Sequence, residues 1–454
     1  MIKKTYSSNL NLNESSLLSL IIIFLYSCSY FLFNDHILII LIFALNLFSF
    51  FCRLFLIKGY QLHFLLLNCW ILIDFIFPVL YQTFKPLNFS PILFEPDFYL
   101  IFYLFLIVCV HEIIIFLSEL LSSTFSNVPQ LPFAGSARIK KTVFFFTLIP
   151  LFAIFWEHIT VNWNLDISSN IGSYYLVPLI SFLYGVISLL IFYILFESKY
   201  SSTKKVMFIL LLLLIPTVLM FIRPSKAQFF RPVFFTFVWI SLIFYQSRFK
   251  IFLYSLLPVS LLYISSYLIV HNFLRNTSCF INNLSFVENT IVNFRCIFSR
   301  FYGMDAFIAS KNYIYDKGLL YGETFYELIF FWIPRKIWTD KPITITYEFG
   351  FMLQPYFSKN TLTGFTSSSL IGEFLLNFGY VGILIYILFM TSLLFLANKF
   401  ISISSRYLLF IFPIFLFHIM LIMHGGLAPH IAMFLADFLP YSILFYLCYK
   451  KIKP

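Results

Sequence analysis

The sequence predicts an all-α, polytopic integral membrane protein with about twelve transmembrane helices, and three observations lead to this prediction. Apolar residues make up 61% of the 454 residues and charged residues only 11%, against about 45–50% and about 25% in soluble domains. Apolar stretches of about 20 residues, long enough to cross a bilayer, recur along the chain. The basic residues between these stretches alternate from one side to the other. This composition excludes a soluble enzyme, a disordered chain and a nucleic-acid binder.

Twelve stretches are apolar enough to be membrane spans, the least regular being the short ones at 36–52 and 232–246. In chain order the twelve lie near residues 16–33, 36–52, 63–81, 97–118, 142–157, 174–196, 206–222, 232–246, 251–270, 371–397, 407–424 and 428–448. The stretches 36–52 and 232–246 are shorter than a bilayer normally requires.

The distribution of the basic residues predicts the orientation of these spans. With the N-terminus inside, seventeen of the thirty Lys and Arg residues fall in inner segments, and every inner segment carries at least two, such as Arg53 and Lys58 after the second span. Most short outer segments carry none. Because basic residues collect on the cytoplasmic side, the pattern predicts an even number of spans with both termini cytoplasmic.

Two outer segments break this rule. The nine-residue loop 223–231 holds Arg223, Lys226 and Arg231 without an acidic residue, and the long segment 271–370 holds nine further cations. Long loops translocate regardless of charge, which accounts for most of the excess in the long segment but not for the short loop. An anionic ligand at the outer leaflet is the alternative explanation, and we expect it to apply to 223–231.

The 100-residue outer segment divides the chain into residues 1–270, 271–370 and 371–454. Its Phe, Tyr, Ile and Leu content argues against disorder, and loops of this length are usually functional. The Tyr321–Trp332 stretch predicts an amphipathic helix in the membrane interface. Eight of the fourteen glycines fall within 303–382, which predicts tight turns and close backbone approaches there. We therefore expect a partly helical cap between the ninth and tenth spans.

The cysteines and the search for metal-binding motifs give little evidence about function. Cys279 and Cys296 both fall in the outer segment, where they form a disulfide if that face is oxidising or remain free thiols if it is not. The chain has no Cys-x-x-Cys pair, His-Glu-x-x-His sequence or Walker loop, so we expect neither a dedicated metal site nor a cofactor.

Several short motifs are similar to those of a known family. Residues 334–342 have the form Pro-Arg-x-x-Trp-x-x-Lys-Pro, with Arg335, Trp338 and Lys341 at its polar positions. They follow Arg300-Phe301-Tyr302-Gly303 and precede Gly372-Glu373-Phe374-Leu375-Leu376-Asn377-Phe378-Gly379. This set, after nine spans and before three more, resembles the Wzy-type O-antigen or oligosaccharide repeat-unit polymerases. The span count and loop placement resemble that family along the whole chain, and the motifs cover 300–382 and the 223–231 loop.

The resemblance implies a function and a location. Such an enzyme is a glycosyltransferase of lipopolysaccharide or surface polysaccharide biosynthesis in the inner membrane of Gram-negative bacteria. It moves a growing glycan from one undecaprenyl pyrophosphate carrier onto the next lipid-linked repeat unit at the periplasmic face. The implied partners are this lipid-linked oligosaccharide, membrane lipids and a chain-length regulator protein. Family knowledge also places functional arginines in two outer loops, matching Arg223 and Arg231 in one and Arg300 and Arg335 in the other.

The chemistry of glycosyl transfer assigns roles to these residues. A pyrophosphate leaving group gains charge, and guanidinium groups bind phosphate oxygens in a fork. We expect Arg335 and Arg300 to act in catalysis. We expect the substrate to be bound by Arg223, Arg231, Lys226, Lys341 and Trp338. For each of these cations, contact with a lipid headgroup or a salt bridge is the alternative. Glu373 or Asp305 is the expected general base, with ion pairing to an arginine as the alternative for each, and His271, His424 and His430 also lie near the outer face.

Charged residues inside the predicted spans are candidates for function. They are Asp74, the His111-Glu112 pair and Asp437. We expect structural pairing between helices, and a proton relay in a transporter is the alternative. Two other functions therefore stay open: an O-antigen ligase that transfers the finished glycan, and a flippase or exporter of the same lipid. The Pro334-Arg335 motif favours the polymerase, and the long outer segment argues against the flippase.

Overall fold

The computed structural model shows a helical bundle with one short strand pair. It describes residues 14–32, 35–55, 62–76, 79, 98–122, 137–139, 173–196, 198, 200–222, 226–243, 303–326, 328, 369–402 and 405–451. Among these, the all-α class is confirmed. Two predicted spans, 142–157 and 251–270, lie outside the described residues, as do Cys279 and Cys296.

Within the described residues, the first half of the chain contains seven α-helices and one strand. They are α1 (Glu14–Leu32), α2 (Asp35–Phe55), α3 (Leu62–Ile71), α4 (Phe98–Ser122), β1 (Ala137–Ile139), α5 (Ser173–Phe196), α6 (Ser202–Ile222) and α7 (Lys226–Ile243). A π-helical segment, Leu72–Ile76, continues α3. Each predicted span in these ranges coincides with a helix, because a continuous apolar run must pair its own backbone groups when water is absent.

The described part of the second half contains five α-helices and one strand. They are α8 (Gly303–Lys317), α9 (Leu370–Phe378), α10 (Tyr380–Ser402), α11 (Arg406–Gly425), α12 (Leu427–Cys448) and β2 (Tyr449–Lys451), with a 3₁₀ turn at Glu323–Phe325. Helix α8 agrees with the prediction that the 271–370 segment is partly helical.

The bundle has the composition of a membrane protein. Among the described residues, four helical stretches are long and apolar enough to cross a bilayer: Ile37–Leu54, Leu100–Leu121, Tyr380–Ser402 and Arg406–Gly425. Large apolar side chains such as Phe24, Leu210 and Leu388 are exposed on its outside. An apolar exterior around an apolar core is what a bilayer solvent requires.

Aromatic packing forms the centre of the bundle. Trp239 of α7 is fully buried, and its indole N–H donates to the Leu409 carbonyl of α11 at 3.0 Å. Its ring stacks on Phe410 and meets Phe192 of α5 edge-on. Buried indoles find a partner for their N–H in this way. Helix α11 packs against α10, α12, α7, α3 and α9, so it brings together helices from distant parts of the chain.

The predicted span 371–397 is wrong as a single helix. The chain breaks at Gly379, which has φ 60° and ψ −146°, a conformation that side chains disfavour. Three residues later, a Cβ on Gly382 would collide with the Phe374 carbonyl. The short helix α9 and the long helix α10 therefore fold against each other. The apolar composition on both sides of the break gave no sign of it.

The close approach at Gly382 gives a testable prediction for stability. Gly382→Ala should lower the free energy of unfolding by about 1–3 kcal/mol, because overpacking forces the backbone apart. Thermal melting of the detergent-purified protein measures this effect. Val381→Ala is the matched control, since the neighbouring Val381 side chain is exposed. An unchanged melting temperature for Gly382→Ala would contradict the tight α9–α10 contact.

Two further predictions need correction. The 223–231 loop is shorter than predicted, because helix α7 already begins at Lys226. The sequence Lys226-Ala-Gln-Phe-Phe-Arg231 has good helix formers, but its polar residues lower the local hydropathy. The Tyr321–Trp332 helix also does not begin as predicted. Tyr321 and Gly322 have φ of 47° and 92°, and a 3₁₀ turn follows them.

A strand pair joins two distant segments. Strand β1 pairs antiparallel with β2, with Arg138 opposite Lys450. Both segments carry basic residues that the sequence places on the cytoplasmic side. Because the two strands pair, they lie on the same side of the bundle. The predicted orientation of the spans also puts both segments on one side.

Candidate active site

The hairpin between α11 and α12 is the centre of the candidate site. Gly426 connects the helices at φ 84°, and its N–H donates to the Ile422 carbonyl at 3.0 Å. Helix α12 starts at the next residue, and the Leu427 N–H donates to a carboxylate oxygen of Glu373 at 2.6 Å. The site therefore joins the hairpin to the glycine-rich motif on α9.

Glu373 is a buried carboxylate at the start of a helix. It is 4% exposed, and a helix N-terminus favours a negative charge. Asn377, one turn later, donates to the Glu373 carbonyl and to Thr324 and accepts from the Gly322 N–H at 2.9 Å. These contacts fix α9 between the hairpin and the 3₁₀ turn.

Asp74 and His424 form a second pair at the hairpin. The His424 Nδ1 lies 3.4 Å from an Asp74 carboxylate oxygen. Asp74 is fully buried on the π-helical segment, whereas the His424 side chain is 28% exposed. The ring of Trp70 meets the imidazole edge-on. π-helical segments occur frequently at functional sites, and here the segment carries the only ionisable residue of its five.

Gly303 brings the outer segment to Asp74. The Gly303 N–H lies 3.4 Å from the same Asp74 oxygen, and a Cβ at this position would overlap the carboxylate. Gly303 closes the Arg300-Phe301-Tyr302-Gly303 motif and opens α8. Only a residue without a side chain lets this motif approach the buried acid so closely.

Arg231, Asp437 and His418 form a third group behind the hairpin. Arg231 donates through Nη1 to Asp437 at 2.7 Å, and His418 Nε2 lies 2.9 Å from the other carboxylate oxygen. The Arg231 side chain is 12% exposed, and its guanidinium lies 5.7 Å from the Phe417 ring centre. Asp437 therefore neutralises the Arg231 cation, in agreement with the expected structural pairing of Asp437.

His430 lies between these groups. Its ring packs against Gly425, where a Cβ would collide with it. Its Nδ1 is buried and has no hydrogen-bond partner among the described residues. Three histidines thus surround one helix hairpin, although no group of three or more His, Cys, Asp or Glu side chains in the described part of the chain is arranged to hold a metal ion.

A separate polar network occupies another part of the bundle. Arg53 is fully buried and donates to Glu112 at 2.9 Å and to Ser19 at 2.6 Å. Ser49 donates to Glu112 at 2.8 Å and accepts from Asn68 at 3.1 Å. Arg53 is therefore an interhelical residue inside α2, and not part of the inner segment in which the sequence placed it. Glu112 follows the expected structural pairing.

The predicted site residues have different outcomes. Arg231 donates to Asp437 of α12, and Glu373 accepts the Leu427 N–H at the start of the same helix. Lys226 and Asp305 lie on the first turns of α7 and α8, and their side chains are outside the described part of the structure. The others, Arg223, Arg300, Arg335, Trp338 and Lys341, lie outside the described residues.

The sequence indicated some members of the site but not their combination. Asp74 and Asp437 stood out as charges within apolar stretches, and His424 and His430 as groups near the outer face. No signal connected Asp74 with His424, which are 350 positions apart. His418 was not identified, because a histidine in an apolar helix gives no pattern of its own.

Comparisons with protein-family models, curated proteins and solved structures find no match to this chain.

Proposed function

We propose that this membrane protein is a glycosyltransferase that joins undecaprenyl-pyrophosphate-linked repeat units into O-antigen or a similar surface polysaccharide. One observation carries the proposal. Residues of the basic 223–231 segment and of the motif-bearing 300–382 segment contact the helices of the last hairpin or the Asp74 carboxylate beside it. These two segments are the parts of the chain on which the resemblance to repeat-unit polymerases depends, and the hairpin turn at 425–427 lies in a predicted outer segment.

The described contacts suit a polar reaction at a membrane surface. Arg231 approaches the hairpin from α7, while Glu373 and Gly303 approach it through α9 and α8. Such a cluster offers a cation for pyrophosphate oxygens and basic groups for a sugar hydroxyl. Arg300 and Arg335, on the same outer segment, are the further cations that we propose for the leaving group.

We also propose the location that this function requires, the inner membrane of a Gram-negative bacterium with both termini cytoplasmic. As part of this proposal, the chain crosses the membrane twelve times. The pairing of β1 with β2 supports it, since both strands come from segments assigned to the inner side. The separate convergence of outer-side segments at the hairpin supports it too.

Replacing Arg335 tests the proposed function. In cells whose own copy is deleted, Arg335→Ala should leave the protein in the membrane but abolish long glycan chains, because the leaving group loses its cation. A gel of extracted lipopolysaccharide shows the chain length. Lys317→Ala is the matched control, since Lys317 is an exposed cation of the same segment.

The same gel separates the competing functions. Deletion of a polymerase leaves the lipid core carrying a single repeat, and deletion of a ligase leaves bare core. A flippase would move lipid-linked units across a proteoliposome membrane without lengthening them. Long chains in the deleted strain, or in Arg335→Ala, would count against the polymerase.

A further inference from the structure

Each of helices α1, α2 and α4 carries a stripe of buried polar side chains. Within a stripe the residues are three, four or seven positions apart, so they share one face of their helix. The stripes consist of Ser16, Ser19 and Tyr26 on α1, Asn46, Ser49 and Arg53 on α2, and Glu112 and Glu119 on α4. None of these residues is more than 3% exposed. Because a bilayer offers few hydrogen-bond partners, buried polar groups of a membrane protein have to be satisfied inside the bundle.

Direct contacts satisfy the centre of this polar region. The Ser49 hydroxyl donates to Glu112 at 2.8 Å and accepts from Arg53 and from the Asn68 amide of α3, each at 3.1 Å. The second terminal nitrogen of Arg53 donates to Ser19 at 2.6 Å and to Glu112 at 2.9 Å. The Glu112 carboxylate therefore balances the charge of the Arg53 guanidinium, so that this ion pair adds no net charge to the region.

Several buried polar atoms around this centre have no hydrogen-bond partner among the described residues. They are the Arg53 Nε, the Asn68 Oδ1 and both ends of the Asn46 amide, Oδ1 and Nδ2. The Tyr26 hydroxyl lies beside Asn46, but a single hydroxyl can satisfy only one end of an amide. A buried polar group without a partner is costly, so these atoms require a bound ligand.

The chemistry of these atoms determines the class of ligand. The Arg53 Nε and the Asn46 Nδ2 are donors, whereas the Oδ1 atoms of Asn46 and Asn68 are acceptors. An anion would satisfy only the donors and a cation only the acceptors, and either ion would add a charge beside an ion pair that is already balanced. Water both donates and accepts, and a buried water typically makes about three hydrogen bonds.

We propose that helices α1 to α4 enclose an internal binding site for water molecules, lined by Tyr26, Asn46, Arg53 and Asn68. Asn46 and Arg53 are about 10 Å apart along the axis of α2, so several waters rather than one occupy the site. Water at the Arg53 Nε lowers the cost of keeping a guanidinium in apolar surroundings. The site belongs to the first four helices and does not depend on the proposed glycosyl transfer at the hairpin.

Hydroxyl-radical footprinting of the full-length protein in lipid nanodiscs tests this proposal. An X-ray pulse splits water into hydroxyl radicals, and a radical formed from an enclosed water oxidises the side chain beside it. Tyr26 should therefore be oxidised although it is fully buried. Trp239 is the reference, because it is equally buried and its indole N–H is already bonded to the Leu409 carbonyl. Mass spectrometry of the digested protein should show faster oxidation of Tyr26 than of Trp239.

Two variants separate the water site from its surroundings. Asn46→Leu removes both unsatisfied ends of the amide at nearly constant size and keeps the pair of Arg53 with Glu112. It should lower the oxidation of Tyr26 to the level of Trp239. Ser27→Ala is the matched control, since Ser27 follows Tyr26 on α1 but donates to the Ile23 carbonyl of its own helix at 2.9 Å. It should leave the oxidation of Tyr26 unchanged.

The wild-type protein alone can overturn the inference. If its Tyr26 is oxidised no faster than Trp239, no water lies beside Tyr26, and this comparison decides the matter even where Asn46→Leu does not accumulate. Equal oxidation of Tyr26 in the wild type and in a folded Asn46→Leu also overturns it, because the radicals would then come from water elsewhere. None of these results bears on glycan elongation, so the proposed function stands or fails separately.

Discussion

Arg53→Ala should remove most of the folded protein from the membrane. The side chain is fully buried and donates to Glu112 and to Ser19 and Ser49. Removing one partner of a buried ion pair leaves the other charge uncompensated and costs about 3–5 kcal/mol. Since whole proteins are stable by only about 5–15 kcal/mol, this loss is decisive. Protein abundance in the membrane fraction and thermal melting in detergent measure it.

A double variant shows whether the loss comes from the unpaired charge. Arg53→Met/Glu112→Leu removes both charges, and apolar replacements of a buried pair are often neutral or stabilising. We expect it to accumulate far better than either single variant. Lys204→Ala removes an exposed cation from the start of α6 and serves as the control for charge loss alone. A stable Arg53→Ala protein would contradict the buried network.

For Arg231 and Asp437, as for Arg53 and Glu112, we expect single variants to be unstable and the double apolar variant to be stable. Here, however, the double variant should also lose activity. Arg231→Ala and Asp437→Ala should each be destabilised by about 3–5 kcal/mol, because each leaves a buried charge without its partner. Arg231→Met/Asp437→Leu should recover stability, as judged by thermal melting of the purified protein. His418, whose ring contacts the same carboxylate, retains its packing against Phe434.

Glycan elongation by this double variant separates two roles of Arg231. If its guanidinium binds the pyrophosphate, the double variant is folded but cannot make long chains. Arg231→Lys, which keeps the charge without the planar fork, should then be folded and partly active. If the double variant made glycan chains of wild-type length, Arg231 would be a structural residue. The pyrophosphate would then be bound by the cations of the predicted outer segment.

Much of the fold follows from the sequence because apolar length determines helix position. Helices α4, α11 and α12 begin and end within a few residues of the predicted spans. The break at Gly379 could not be predicted, because the chain is equally apolar on both sides of it. The close approach of Gly382 to the Phe374 carbonyl, which accompanies the break, is visible only in the structure. The early start of α7 was missed because Arg231 and Gln228 are polar although they are helical.

The site was predictable in its parts but not in its pairings. Charges within apolar stretches identified Asp74 and Asp437, because such charges are costly unless paired. Their partners depend on which helices pack together, and helix packing leaves no local pattern in the chain. Arg53 shows the converse error. Its position just after the predicted second span placed it in an inner segment, but two serine side chains, Ser19 and Ser49, and the Glu112 carboxylate hold it inside the bundle.

The separations between paired residues have a consequence for the order of assembly. Arg53 and Glu112 are 59 positions apart, so their pair can form once α1 to α4 have been synthesised. Arg231 must wait for Asp437, 206 positions later. Until α12 has been synthesised, the Arg231 guanidinium lacks the carboxylate that neutralises it in the folded protein. This ion pair is therefore among the last side-chain contacts of the bundle that synthesis makes possible.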